Sequence, residues 1–140
     1  MVLLDTNVVS ELRKVHIGKA DPRVVAWANS VDARDLFISV ISLAEIETGV
    51  MQIERRDAAQ GAILRHWLER QVVPAFHERI LPVDLEIARR SAALHVPDPR
   101  ATNDALIAAT ALVRGMTVAT RNVGDFRPMG VPVIDPWESA

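Results

Sequence analysis

Four acidic residues in separate segments of the chain have side chains that can bind a divalent cation: Asp5, Glu45, Asp104 and Asp125. Carboxylate oxygens are the ligands that Mg²⁺ and Mn²⁺ prefer, and such cations promote the hydrolysis of phosphate esters. The chain contains no cysteine, so thiolate ligands are excluded. These residues predict an oxygen-ligand site for Mg²⁺, with Mn²⁺ as the alternative, and chemistry on a phosphodiester.

The acids must be brought together by the elements that carry them. Asp5 follows the apolar residues 2–4, which predict a buried strand, and Asp104 stands at the start of a helix. Ligands of open parallel sheets bind beyond the carboxyl ends of the strands, so we expect Asp5 and Asp104 to approach one crevice. Asp125, in the loop after the fourth strand, can join them, and Glu45 on a helix is the remaining candidate. Without a cation, converging carboxylates should repel one another and raise at least one pKa.

Each acid also has a structural explanation that the sequence leaves open. Asp5 can cap the first helix, and Asp104 can stabilise its own helix through the dipole at the N-terminus. On the third helix, Glu45 and Glu47 lie on different sides. The spacing of the apolar residues does not choose between these two glutamates.

Polar residues beside the acids can support a site or serve only in caps and turns. The side chains of Thr6, Asn7 and Thr120 can bond to the carboxylates, to a substrate or to nearby backbone. Asn122 can orient a cation-bound water or close a turn. Arg121 is the arginine that we expect to contact a phosphate, because a planar guanidinium suits phosphate oxygens.

Short apolar segments alternate with segments of helical periodicity along the chain. The apolar segments lack the alternation of a half-exposed strand, which is typical of a parallel sheet with helices on both faces. Pro132 lacks a backbone donor, so the last strand should lie at an edge. The predicted strands are residues 2–4, 36–39, 80–83, 118–120 and 131–134.

Capping residues indicate where the helices begin and end. Asp21 and Asp84 are expected N-caps of two helices, and either Thr102 or Asn103 should cap the helix that Gly115 ends. The segments at 42–53 and 56–73 are expected to pair as a hairpin. The predicted helices cover residues 6–12, 22–31, 42–53, 56–73 and 85–94, and a last segment from about 103 to 114.

Size and composition limit the class of protein. The 140 residues fit one domain, residues 1–140. The formal net charge is −2, so any binding of nucleic acid must be local rather than spread over a basic surface. No apolar run approaches the roughly 18 residues of a membrane span, and the N-terminal segment lacks the features of a signal peptide. We therefore expect a cytoplasmic protein, in agreement with the absence of cysteine.

Five segments carry motifs in a recognisable order: residues 4–8, 39–45, 103–111, 117–122 and 134–137. The first four resemble the segments that hold the acids of PIN-domain toxins. The last resembles the ending of the FitB-like branch of the VapC toxins. Together the segments extend over nearly the whole chain. The resemblance implies an α/β fold, a three-layer α/β/α PIN-like domain with a short-stranded, mostly parallel central sheet.

The resemblance also implies an activity and a set of site residues. The activity is that of a divalent-metal-dependent endoribonuclease, the toxin of a type II toxin–antitoxin module. The second acid is assigned to Glu45, so that Asp5, Glu45 and Asp104 are the expected metal ligands. In the FitB-like branch an aspartate can occupy the position of Asn122. Because this chain has an asparagine at that position, Asp125 is the nearest replacement for the fourth catalytic acid.

The expected partners follow from the same resemblance. The substrate is single-stranded or loop RNA. A small antitoxin covers the active-site groove with its tail and binds operator DNA with its other end, so that contact with DNA is indirect. A homodimer is expected, and the apolar residues 63–72 can form the homodimer or antitoxin surface or pack into the protein's own core.

Two other functions fit parts of the pattern. A phosphoryl-accepting receiver domain also uses a doubly wound sheet, acids and magnesium. Such a domain needs a lysine near the last strand, whereas both lysines of this chain, Lys14 and Lys19, come early. The second alternative is a non-catalytic PIN-like binding module. In such a module the acids only cap helices and the protein works through a partner, and the sequence leaves this alternative open.

Overall fold

A parallel sheet of five short strands lies at the centre of the computed structural model, which describes residues 1–138. The strands are Val2–Leu4 (β1), Leu36–Ser39 (β2), Ile80–Leu81 (β3), Thr117–Ala119 (β4) and Val133–Ile134 (β5). Their order across the sheet is β3-β2-β1-β4-β5, and every neighbouring pair is parallel. β1 is therefore the central strand, and Asp5 directly follows its carboxyl end.

Helices connect the strands and cover the sheet. They are Thr6–Arg13 (α1), Pro22–Asn29 (α2), Val40–Arg56 (α3), Ala58–Trp67 (α4), Val73–Ala75 (α5), Leu85–Leu94 (α6), Thr102–Arg114 (α7) and Val123–Phe126 (α8). A π-helical turn at Leu68–Val72 joins α4 to α5. The expected hairpin is formed by α3 and α4, where Arg65 of α4 donates a hydrogen bond to Glu54 of α3 at 2.8 Å.

The side chains of β1 enter two apolar clusters. Val2 and Leu4 are buried with residues of α1, α2 and α3, whereas Leu3 is buried with residues of α7 and α8. Successive side chains of a strand point to opposite faces of the sheet, so the two clusters lie on opposite faces. Burial on both faces explains why β1 is wholly apolar. The predicted fold, three α/β/α layers around a short-stranded parallel sheet, is confirmed.

The expected N-caps of three helices are present. The side chains of Asp5, Asp21 and Asp84 each accept a hydrogen bond from a backbone N–H in the first turn of the helix that follows. Each bond satisfies a donor that the helix itself leaves unpaired. These aspartates therefore fix where α1, α2 and α6 begin.

The prediction that Thr102 or Asn103 caps α7 was wrong. The N-cap position belongs to Ala101, whose backbone is extended and whose side chain makes no hydrogen bond. The two polar residues lie inside the first turn, where their helical backbone prevents them from reaching back to cap it. Gly115 ends this helix in the left-handed conformation, with φ of 69°, as predicted.

Several element ends differ from the expected ones by one to three residues. β3 stops before Pro82 and β5 starts after Pro132, because a proline cannot donate to the ladder. β5 lies at an edge of the sheet, as Pro132 predicts. α3 begins at Val40, two residues earlier than expected, because the hydroxyl of Ser39 caps it.

The apolar segment at residues 63–72 packs mainly into the protein's own core. Leu68 and Val72 are buried in the apolar cluster that also contains Val2 and Leu4, whereas Ile63 is 61% exposed. Among the described residues, the structure contains no helix with both the length and the hydrophobicity that crossing a bilayer requires.

Candidate active site

A cavity of about 440 Å³ opens at the carboxyl ends of β1 and β4, and it is called the main cavity here. Asp5, Glu45 and Asp104 line it, although they come from the end of β1, from α3 and from the first turn of α7. The fold therefore brings together three of the four acids that were singled out. The other lining residues are Thr6, Asn7, Ser10, Glu11, Lys14, Arg121, Asn122 and Trp137.

Asp5 is held rigidly and is only 5% exposed. One carboxylate oxygen accepts a hydrogen bond from the backbone N–H of Thr6 at 2.8 Å, and the other accepts one from the hydroxyl of Thr120 at 2.8 Å. Burial raises the pKa of Asp5 above its ordinary value, and the two hydrogen bonds only partly oppose this. The charges of Glu45 and Asp125 raise the pKa further. Asp5 thus caps α1 and also faces the cavity, so its role as a cap does not exclude a role in a metal site.

Asp104 lies in the first turn of α7 and is partly buried. Burial raises the pKa of Asp104 to about 6, and the negative charges of Asp5, Asp125 and Glu45 contribute to the shift. The expected rise of a pKa in the acidic cluster is confirmed, with burial as the largest single cause. A cation near Asp104 would favour its charged form.

Glu45 and Glu47 have different surroundings, although they are two residues apart on α3. Glu45 lines the main cavity and accepts a hydrogen bond from the hydroxyl of Thr6 at 2.8 Å. Glu47 forms an ion pair with Arg65 of α4. The structure therefore groups Glu45 with Asp5, whereas Glu47 belongs to the ion pairs between α3 and α4.

Asp125 was expected in a loop, and that prediction was wrong, because it lies in the short helix α8. The fully buried Phe126 anchors this helix to the core. Asp125 is exposed and lines an adjoining cavity of about 270 Å³, the side cavity, which shares Asp104 with the main cavity. The side cavity is lined by Pro99, Arg100, Ala101, Asp104, Gly124, Asp125 and Met129.

The polar residues after β4 are tied to both Asp5 and α1. The hydroxyl of Thr120 donates to Asp5 and accepts a hydrogen bond from the backbone N–H of Asn122 at 3.0 Å. The side-chain oxygen of Asn7 accepts one from the backbone N–H of Arg121 at 3.4 Å. Asn122 occupies the N-cap position of α8 without a side-chain cap bond and lines the main cavity.

Sequence reasoning missed the polar stripe on α1. Ser10, Glu11 and Lys14 line the main cavity, and with Asn7 they recur every three or four residues, which places them on one helix face. That spacing next to Asp5 was a usable signal. Glu11 accepts hydrogen bonds from the backbone N–H of Asp21 at 2.8 Å and from Lys14 at 3.0 Å, which lower its pKa. Glu11 therefore connects α1 to the start of α2. Lys14 lines the main cavity although it lies early in the sequence.

Arg121 lies over the ring of Trp137. The guanidinium carbon is 5.1 Å from the ring centre, a cation–π distance, and Trp137 is only 6% exposed. Trp137 is buried in the apolar cluster that contains Val2 and Leu4. Its ring also supports an arginine of the main cavity, which its position near the end of the chain did not indicate.

The acids of the main cavity suit a hard divalent cation. Within residues 1–138, no three histidine, aspartate or glutamate side chains stand close enough to form a ready-made ligand group. Mg²⁺ commonly binds one or two carboxylates and keeps several waters, so a site for it does not require three protein ligands. Burial is the largest single cause of the raised pKa of both Asp5 and Asp104, and neighbouring carboxylates raise these pKa values further. A cation beside them would favour their charged forms.

A comparison with family models decides which family this is. The model of the PIN domain matches residues 2–129, a range that includes all four acids and four of the five strands, β1 to β4. The chain belongs to the PIN domain family. The PIN domain assignment agrees with the motifs at residues 4–8, 39–45, 103–111 and 117–122.

Relatives of this PIN domain match it along nearly its whole length. The VapC ribonuclease Y4jK of Sinorhizobium fredii is 36% identical over 145 residues that cover 100% of both chains. The toxin FitB of Neisseria gonorrhoeae is 38% identical over 142 residues, which cover 98% of this chain and 99% of FitB. A solved structure of FitAB bound to an IR36 DNA fragment has a TM-score of 0.89 at 36% identity and covers 100% of this chain and 98% of that one. The resemblance to FitB-like VapC toxins is confirmed.

Proposed function

We propose that this PIN domain is a divalent-metal-dependent endoribonuclease and the toxin of a type II toxin–antitoxin module. The observation that carries the proposal is the convergence of Asp5, Glu45 and Asp104 on one cavity at the carboxyl ends of the central strands. The names of two relatives support its two parts, since one is a VapC ribonuclease and the other is the toxin FitB.

Asp5 and Asp104 are proposed as the direct ligands of Mg²⁺, with Mn²⁺ as the alternative cation. Glu45 is the third ligand or acts through a bound water, because Thr6 holds its carboxylate at the wall of the same cavity. Asp125 is proposed as the fourth catalytic acid on the far side of Asp104. Its charge already acts on the pKa of Asp104, which supports that assignment.

A divalent cation held by Asp5 and Asp104 would supply activation of a water and compensation of the negative charge that develops on the phosphodiester. The protein's own contribution is to hold its groups in place before the substrate arrives. Thr120 and the backbone of Thr6 fix both oxygens of Asp5. Fixed carboxylates need no reorganisation during the reaction, which is the main advantage of a preformed polar site.

Single-stranded or loop RNA is the proposed substrate. The net charge of −2 gives no general attraction for a polyanion, so the positive charge must be local. Lys14 and Arg121 line the main cavity and supply that charge beside the acids. Asn7 and Asn122 add amide groups that can bond to the sugar or the bases.

The proposed partner is a small antitoxin that covers the main cavity with its tail and binds operator DNA with its other end. FitAB has been solved bound to DNA, which supports an assembly of this kind for a protein of the same fold. Contact of this chain with DNA would then be indirect. We further propose that the chain acts as a single domain, forms a homodimer and works in the cytoplasm.

The proposal is tested by incubating the purified protein with a pool of structured and unstructured RNA in Mg²⁺, in Mn²⁺ and in EDTA, beside DNA of the same sequences. Cleavage of RNA that requires either cation is the expected result. Cleavage of DNA alone would contradict the substrate. If no nucleic acid is cut and neither cation raises the melting temperature, the protein is instead a non-catalytic PIN-like binding module.

A further inference from the structure

Two cavities meet at Asp104, and each contains an arginine. Arg121 lines the main cavity, and Arg100 lines the side cavity with Asp125. Within residues 1–138 neither arginine forms an ion pair, whereas Lys14 is paired with Glu11. Each of the two cavities that share Asp104 therefore contains a guanidinium group that is in no ion pair.

Arg121 is held where its charge faces the main cavity. Its guanidinium lies over the buried ring of Trp137, and its backbone N–H is bonded to Asn7. The planar group keeps its donors free, because a ring face occupies only one side of it. An arginine fixed in this way loses little side-chain freedom when it binds a phosphate.

Arg100 carries a hydrogen-bond donor that lacks a partner. Its Nε is buried and has no acceptor among the described residues, although Asp104 and Asp125 line the same cavity. The backbone N–H of Arg100 is bonded to His95 at 3.0 Å, which holds the residue in place. A buried donor without an acceptor requires an explanation, and an oxygen of a phosphate bound in the side cavity would supply the missing acceptor.

We propose that the RNA strand crosses Asp104 from the main cavity into the side cavity, with Arg121 contacting a phosphate on one side of the cleaved bond and Arg100 a phosphate on the other. The inference rests on the proposed function and defines the path of its substrate. A strand passing over carboxylates needs positive charge before and after them, and the two arginines supply it. Asp125 then lies beside the strand rather than outside the site.

The test measures binding of a fluorescein-labelled single-stranded RNA in EDTA, where no hydrolysis occurs, at several salt concentrations. Arg100→Ala and Arg121→Ala should each weaken binding by about five- to tenfold, as expected for one charge-assisted contact. Each should also reduce the slope of log affinity against log salt by about 0.7, the value for one phosphate contact of a single strand. Arg100→Lys and Arg121→Lys should keep the slope.

Arg127→Ala is the matched control, because Arg127 is exposed in the turn after α8 and lines neither cavity. Shortening the RNA from one end should remove the effect of Arg100→Ala only, and shortening it from the other end should remove the effect of Arg121→Ala only. That result also gives the direction of the strand.

The path is overturned if wild-type protein cleaves RNA while Arg100→Ala binds it like Arg127→Ala. An acidic peptide of equal charge that binds as tightly, with the same losses in both variants, would show a general anion surface and also overturn it. Absence of both RNA binding and metal-dependent cleavage in the wild type would refute the proposed function itself, and the path with it.

Discussion

Thr120 donates a hydrogen bond to Asp5 at 2.8 Å, and both side chains are buried. The two residues are 115 positions apart, and each directly follows one of the paired strands β1 and β4. The same hydroxyl accepts a hydrogen bond from the backbone of Asn122. One side chain therefore orients Asp5 and shapes the turn that brings Arg121 and Asn122 to the main cavity.

Replacing Thr120 should weaken cation binding without changing the fold. Thr120→Val keeps the shape but removes the donor, so that Asp5 is less well oriented and its pKa rises further. We expect a loss of about 10- to 100-fold in Mn²⁺ affinity, the usual effect of removing a partner of a metal ligand. Thr120→Ser keeps the hydroxyl and should bind Mn²⁺ nearly as the wild type does. Equal affinity in the valine variant, measured by calorimetric titration, would count against the proposed role of Asp5.

Glu45 and Glu47 provide a matched pair of variants on one helix. Glu45→Gln removes a carboxylate from the main cavity and should lower the rate of RNA cleavage by at least about tenfold. Glu47→Gln removes only a partly exposed ion pair with Arg65, so the rate should stay within about twofold and stability should fall by at most about 1 kcal/mol. Single-turnover cleavage rates make the comparison, and the opposite ranking would show that the second acid is Glu47.

Asp104 should make the metal-free protein less stable as the pH rises. Its pKa is raised on folding, from an ordinary value of 3.8 to about 6. A raised carboxyl pKa contributes stability that is complete below the ordinary value and is lost as the pH rises through the folded value. In EDTA, the wild type should therefore lose stability relative to Asp104→Asn between about pH 4 and 7. The difference should be about 1 kcal/mol, since solvent screens this partly exposed group.

Urea unfolding at both pH values checks this prediction. Asp21 and Asp32, whose pKa values are lowered to about 2 by their arginine partners, titrate at lower pH and are common to both proteins. Asp5, whose pKa is raised, is also present in both. Mg²⁺ at ten times its dissociation constant should stabilise the wild type by about 1.4 kcal/mol and reverse the order. The same pH dependence in both proteins would contradict the raised pKa of Asp104.

The hairpin of α3 and α4 depends on Gly61. A side chain at this position would lie 2.5 Å from the backbone Cα of Glu54, so Gly61→Ala should cost about 1–3 kcal/mol of stability. Gly49 lies in α3 with open space around it, and Gly49→Ala should stabilise the protein by up to about 1 kcal/mol through better helix propensity. Thermal unfolding of the two variants compares them, and a stable Gly61→Ala would show that the helices can move apart.

Much of the fold was predictable because its signals are local. Apolar residues 2–4 followed by Asp5 predicted both the central strand and the cap of α1. Pro132 predicted an edge strand, and Gly115 predicted the end of α7. The N-cap of α7 was not predictable in this way, since Ala101 has no capping side chain and only the geometry of the incoming chain starts the helix there.

The site was predictable only in part. The position of Asp5 at a strand end indicated a site, but periodicity could not choose between Glu45 and Glu47, whose difference arises from contacts with Thr6 and with α4. The family motif made that choice. The support of Arg121 by Trp137 and the shared position of Asp104 between two cavities are tertiary relationships without a local signal. The assignment of Asp125, in place of Asn122, as the fourth catalytic acid stays a prediction.

The most direct test of the account compares Mg²⁺-dependent RNA cleavage by Asp5→Asn, Asp104→Asn and a control, Asp32→Asn, whose aspartate pairs with Arg34 away from the cavity. Circular dichroism confirms that each variant is folded. The account predicts that the first two lose at least about a hundredfold in rate, as expected when a cation site worth several kcal/mol is removed, while the control retains wild-type activity. Wild-type rates in both Asp5→Asn and Asp104→Asn would contradict it.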